Sequence, residues 1–171
     1  MPRATPRQAL EEVTPGPLPK SDQDHEDERH ALTDWLVENG VRREAIAAFP
    51  PLQHGDVPGI LRKVDAALFP NRCEGGTNLV AMEALAMGVP TILTDGTGQR
   101  DTVRLAGGGC WPLEGVKATG GPPDAVGVEV DVEQATAALE AIYLDAAGAR
   151  RRALEGAGRL RAWTWGRAVA V

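Results

Sequence analysis

Apolar residues in this chain gather in short runs parted by polar and glycine-bearing turns, and the spacing within each run predicts its element. Over residues 24–39, Leu32, Trp35 and Leu36 fall on one helical face, Ser21 or Asp22 can cap it, and Gly40 sits where a helix ends. Asp24, Glu26, Asp27 and Glu28 lie in its first turns, where acids suit the helix dipole. Strand and helix then alternate. Residues 45–49 predict a short strand, and residues 56–64 a helix with Pro58 in its first turn and Ile60, Leu61 and Val64 inward. Residues 66–69 and 91–93 are compact apolar runs, as buried strands require, and the helix between them, residues 79–87, is stopped by Gly88 and Pro90. Residues 99–105 predict a short helix, Cys110 and Trp111 begin an edge strand or a loop, and residues 113–124 are a Gly- and Pro-rich loop. Val128 and Val130 mark a last short strand. A strongly periodic helix over residues 132–146 carries Val132, Leu139, Ile142 and Tyr143 on one side, and another helix runs over residues 149–161. The alternation, without a hairpin signal, predicts an α/β fold: a doubly wound parallel sheet of Rossmann-like type. Residues 1–20, with five prolines and little periodicity, are expected to be a disordered leader, leaving residues 21–171 as one domain.

Composition narrows the function classes. Hydrophobic residues make up 43% of the chain, enough for a packed core. Eighteen basic and 24 acidic residues give a net charge of -6, which argues against a nucleic-acid binder with its basic stripe. Cys73 and Cys110 form no CxxC pair and have no histidine at metal-ligand spacing, so they read as two reduced thiols. No window reaches the roughly 20 apolar residues of a membrane span. The first residues lack the apolar core of a signal peptide. The cytoplasm is therefore the expected compartment.

Chemistry concentrates in the segment DAALFPNRCEGGTNLVAMEALAMGVPTILTDGTGQRDTV, which is strand, glycine loop, helix, strand and loop. In an open parallel sheet, ligands bind beyond the carboxyl ends of the strands. The loop over residues 71–78 lies there. Gly75 and Gly76 let a ligand approach the backbone closely. The helix beginning near Asn78 or Leu79 turns its free N–H groups back into the loop, a site suited to phosphate or sugar hydroxyls. Glu74 stands in the loop, and Glu83 sits within the helix among Met82, Ala84 and Leu85, where a carboxylate needs hydrogen-bond donors such as ribose or sugar hydroxyls. On spacing alone, an exposed helix glutamate and a loop charge remain the better reading of the two acids.

The same segment resembles the donor-site motif of the large family 4 of retaining glycosyltransferases. The resemblance is carried by Phe69-Pro70-Asn71, then Glu74-Gly75-Gly76, then the run Glu83-Ala84-Leu85-Ala86-Met87-Gly88-Val89-Pro90. It extends more loosely over residues 52–65 and 163–168. It implies a partial C-terminal, donor-binding half of a GT-B enzyme that transfers a hexose from a nucleoside diphosphate sugar with retention, without a catalytic metal or a bound cofactor. It assigns Glu74 to the hexose as the catalytic-site acid and Glu83 to the ribose. Gly76, Thr77, Asn78 and Leu79, with Gly75 beside them, supply loop amides; Thr97 and Gly98 form a second glycine loop, and Asp101 takes the place of an acid there. Eight residues separate the two acids, one more than in the family, which shifts the placement of Glu74 by up to one position. The resemblance also implies an N-terminal acceptor domain, and an Arg and a Lys near the start of the donor half, that do not match residues here.

Two readings therefore stand. One is a glycosyltransferase whose acceptor half comes from another chain, this chain being a fragment, a split enzyme or a decayed copy. The other is a non-catalytic nucleotide-sugar-binding module acting with a partner; a generic α/β domain without ligand is a weaker third. His25 and His30 read as solvent-exposed helix residues, and His54 as a surface-loop residue. Cys73 has no base beside it, and Trp35, Trp163 and Trp165 read as core or domain-contact residues.

Overall fold

The computed structural model describes residues 22–117, 127–164 and 166; the expected leader, residues 118–124 of the Gly- and Pro-rich loop with the two residues after it, Trp165, and residues 167–171, where part of the looser resemblance falls, lie outside them. The chain forms two compact units, Met1–His54 and Gly55–Val171. No helix among the described residues is long and apolar enough to cross a membrane.

In the first unit, helix α1 runs over Asp22–Glu38. Gly40 ends it at φ +93, and Val41 N–H reaches back to the Leu36 carbonyl at 3.0 Å, the six-to-one bond of a glycine-terminated helix. The strand expected over residues 45–49 does not form. Arg43–Ala45 is a 3-10 turn instead. Pro50 and Pro51 follow, removing the donors a ladder needs, and the Ala48 carbonyl accepts from the Arg29 guanidinium at 3.4 Å. Trp35, expected in a core or contact, is 40% exposed.

The second unit contains α2 (Val57–Leu61), β1 (Ala67–Phe69), α3 (Leu79–Ala86), β2 (Thr91–Asp95), α4 (Gln99–Ala106), β3 (Trp111–Lys117), β4 (Val128–Val130), α5 (Val132–Leu144) and α6 (Ala146–Arg161). Strands follow the order β1-β2-β3-β4. β1 and β2 pair in parallel, Ala67 opposite Thr91 and Phe69 opposite Leu93. β2 and β3 continue the parallel register, Ile92 opposite Trp111. The pairing of β4 departs from expectation, because it runs antiparallel to β3, with Gly115 opposite Val130. Trp111 thus opens an interior strand rather than an edge, and β3 reaches Lys117 where a loop was expected. The hairpin leaves no local signal because the connection is longer than the two-residue turns that mark one. Gly115 permits it: a Cβ there would lie 2.8 Å from Val128.

Successive residues of a strand face opposite sides of the sheet. Leu93 packs with Ala81 and Leu85 of α3, Ala106 of α4, Cys110 and Leu160. Ile92 packs on the other side with Leu113, Ile142 of α5 and Ala149 of α6. Helices therefore cover both faces, and the unit is a mixed α/β, Rossmann-like domain. Of the apolar stripe expected along α5, Ile142 is buried and Leu139 is 39% exposed. Ala135, Ala138 and Ile142 pack inward, while Val132 and Tyr143 are 76% and 85% exposed. Small side chains let the helix lie close to the sheet, so its largest residues are not its buried ones. Along α6 the buried residues are also small: Ala149, Ala153, Gly156 and Ala157, with Leu160 at the end.

The two thiols separate cleanly. Cys73 is exposed and Cys110 buried. Burial pushes the Cys110 thiol up to about 11 from 9.0, with the Arg152 charge opposing and Asp95 adding to the rise. Since the thiolate is the nucleophile, a disulfide-exchange reagent at pH 8 is expected to titrate Cys73 at once and Cys110 only as the chain unfolds. Two equally fast thiols under native conditions would refute it. The sign for stability follows by linkage: the full contribution is present below pH 9 and is lost as the pH rises through about 11, where the unfolded thiol ionises first.

Candidate functional site

Two loops leave the carboxyl ends of β1 and β2, residues 70–78 and residues 96–98, and their backbones are built into one another. The Glu74 N–H donates to Thr97 Oγ1 at 3.0 Å. Its carbonyl accepts from the Gly98 N–H at 3.0 Å. A Cβ on Gly98 would stand 1.8 Å from the Gly76 carbonyl oxygen and 2.7 Å from that of Glu74. Only glycine fits there. From α4, Thr102 Oγ1 donates to the Thr77 carbonyl at 2.5 Å.

Local conformation is strained where the loops meet. Thr97 lies at φ +47 and Asn78 at φ +57. The left-handed region is unusual for a β-branched residue, and such strain gathers at functional sites. Asn78 uses it to cap α3: its Oδ1 accepts from the Ala81 N–H at 3.1 Å. Substitution to alanine removes the cap and keeps the strained φ, whereas glycine removes only the cap. Asn78→Ala is therefore expected to destabilise by about 2 kcal/mol and Asn78→Gly by less than half of that. Urea titration of both variants checks the ranking, which a costlier glycine would reverse.

The Glu74 carboxylate is half-buried and accepts from Asn71 Nδ2 at 3.1 Å, so it is oriented within its own loop. Gly75 and Gly76 are exposed, and a Cβ on either would meet nothing within 4 Å. Glu83 stands within the helix that follows the loop. Ala81, Ala84 and Leu85 form the buried face of α3; Glu83 lies on the opposite face, half-buried, one turn on from Leu79. Leu79 and Val80 on that face are 71% and 57% exposed. Asp101 is exposed and bridges to Arg104 at 3.4 Å, away from the loop contacts. His54 is exposed as well.

Several contributors escaped the sequence reading. Asn71 orients Glu74 from three residues away. Arg72 ties the loop to β4, through an ion pair with Glu129 at 2.9 Å and its carbonyl accepting from Val128 N–H at 2.7 Å. Arg100 stands at the rim of the second loop, paired with Asp95 at 3.3 Å. The available signal was a basic residue shortly beyond the ends of β1 and β2, Arg72 in the first loop and Arg100 at the start of α4. A groove of about 930 Å³, lined by Arg62, Asp65, Pro90, Tyr143 and Arg150 among others, opens at the amino ends of the same strands. It is remote from both glycine loops.

The exposed Gly75 and Gly76, the start of α3 and the Glu74 carboxylate lie together at these strand ends, an arrangement suited to an anion or to hydroxyls. No curated protein and no solved structure shows a significant match to the chain. The family model for glycosyl transferases group 1 matches residues 24–142. That span takes in most of α1, both glycine loops and most of α5, well over half of the sequence, and the chain belongs to the group 1 glycosyltransferase family.

Proposed function

We propose that the residues between Asn71 and Gly98 hold the nucleoside diphosphate sugar of a retaining hexosyl transfer. The observation that carries the reading is the interlock of the two glycine loops at the carboxyl ends of adjacent parallel strands, with Gly98 set against the Gly76 carbonyl and Glu74 bonded to Thr97. In this reading Glu74, oriented by Asn71, receives hexose hydroxyls, and Glu83 receives the ribose diol. The amides of Gly75, Gly76, Thr77, Asn78 and Leu79 turn to the diphosphate, and Thr97 and Gly98 close the second side. Arg72 and Arg100 lie near enough along the chain to share the leaving charge. Catalysis is electrostatic: amides and cations stabilise the departing diphosphate, and carboxylates align the sugar. The acceptor is held by a second domain or a partner chain.

The test is calorimetric titration of the full chain with UDP-glucose, GDP-mannose and ADP-glucose, beside Glu83→Ala. At least one donor is expected to bind. Hydrogen bonds to a charged group contribute about 1.5–3 kcal/mol, so Glu83→Ala should weaken it by roughly 10- to 100-fold. Binding of every donor unchanged in the variant would refute the assignment. Retention is read separately, from the anomeric configuration of any transferred sugar by NMR.

A further inference from the structure

Gln99, the first residue of α4, is 0% exposed, and neither its Nε2 nor its Oε1 has a hydrogen-bond partner among the described residues. A carboxamide removed from water with its bonds unmade weakens a fold. Its surroundings point to a use.

Gln99, Thr102 and Ala106 are the buried residues of α4, and their spacing puts them on one face. Thr102, next along that face, donates to the Thr77 carbonyl at 2.5 Å. Gly98, immediately before, lies against the Gly76 carbonyl. Gln99 is therefore bracketed by two residues that both touch the loop ahead of α3. In that loop the Gly76 and Thr77 carbonyls point toward α4, so the N–H groups of the same trans peptides, those of Thr77 and Asn78, point away from it. The preceding peptide, Gly75 to Gly76, makes no backbone hydrogen bond among the described residues. It joins two exposed glycines, neither of which carries a Cβ to oppose its turning, and a Cβ on either would meet nothing within 4 Å.

We propose that Gln99 is a positioning residue for the nucleotide sugar, an inference that rests on the donor-site reading above. When a phosphate or hydroxyl oxygen of the ligand takes the Gly76 N–H, the Gly75 carbonyl of that peptide turns inward and accepts from Gln99 Nε2. Ligand and glutamine then hold one peptide from its two sides. The bond missing in the free protein forms on binding, and the loop is fixed at that moment.

Gln99→Met, close in length and volume but unable to make the bond, tests this in the full chain. The variant is expected to melt at or above the wild-type temperature, because an unsatisfied amide has gone. It should bind its best donor from the panel of UDP-glucose, GDP-mannose and ADP-glucose about tenfold more weakly. Weaker binding at undiminished stability cannot come from a damaged fold, and Gln99→Leu repeats the measurement should methionine disturb α4. In ¹⁵N spectra the side-chain NH₂ pair absent from the variant should shift in the wild type as that donor is added. Equal affinity of wild type and Gln99→Met, or an NH₂ pair unmoved at saturation, overturns the inference. A wild type that loses donor binding in Glu83→Ala but not in Gln99→Met overturns it while leaving the donor site standing. A wild type that binds no nucleotide sugar overturns both.

Discussion

Gly98→Ala is expected to cost the protein about 3 kcal/mol or more, while Gly75→Ala, in the neighbouring loop, is expected to change stability by less than about 1 kcal/mol. The difference comes from what a single methyl group meets. At Gly98 it falls 1.8 Å from the Gly76 carbonyl oxygen and 2.6 Å from its carbon. Both are backbone atoms, so no side chain can rotate aside. Relief requires the loops to part, breaking the bonds from Gly98 N–H to the Glu74 carbonyl and from Glu74 N–H to Thr97 Oγ1. At Gly75 the methyl group meets nothing within 4 Å, and a lower entropy of the unfolded chain offsets any strain. For a chain of this length, 3 kcal/mol corresponds to a drop in Tm of roughly 10 °C. Guanidinium titration of the pair measures the contrast. A Gly98→Ala variant as stable as Gly75→Ala would mean that the loops do not interlock.

Gly109→Ala is expected to have an effect of similar size in the core rather than at the site. Its Cβ would lie 2.3 Å from Gly156 Cα and 2.5 Å from Gly156 N, backbone atoms of α6. α6 covers the cluster containing Leu85, Leu93, Ala106, Cys110 and Leu160, so pushing it away opens that cluster to water. A loss of about 3 kcal/mol or more is expected. The native reactivity of Cys110 should rise with it, since its protection depends on that cover. Gly158, on the same helix with nothing within 4 Å of a Cβ, provides the control; Gly158→Ala should stabilise α6 by about 0.5–1 kcal/mol. Denaturant titration together with thiol kinetics tests both. If Gly109→Ala were destabilised while Cys110 stayed protected, the core cluster would not depend on this contact.

What the sequence made legible was local and periodic. Residues 91–93 announce a buried parallel strand because such strands are apolar on both faces; residues 66–69 announce a strand as well, but β1 lies at the sheet edge with Leu68 40% exposed, not buried as expected. Gly88 and Pro90 announce the end of α3, and Asn78 with the residues after it announces its start. The glycine loops at the strand ends follow from the same pattern. What stayed hidden depends on pairs distant along the chain. Nothing near Gly98 says that Gly76 lies against it, nor near Gly109 that Gly156 does. The β3–β4 hairpin is joined through a Gly- and Pro-rich connection, which marks a loop but is too long to name the pairing of its flanking strands. The inward face of α5 is carried by Ala135 and Ala138, which a hydrophobicity pattern ranks below the exposed Val132 and Tyr143. Proline after residue 49 outweighed the apolar run before it. Gln99 carries no signal in the sequence, because a polar residue at a helix start looks ordinary until its burial is known.

The interlock of Gly98 with Gly76 also governs how this region tolerates exchange. Because one loop's carbonyls form the surface on which the other loop rests, neither segment has a shape of its own that survives transplantation. Swapping residues 71–78 for those of another family member would bring a carbonyl trace unmatched to the resident second loop, whereas moving residues 71–78 and 96–98 as a pair carries the fitted surfaces together. The two strand ends are thus a single cassette, written in two places along the chain.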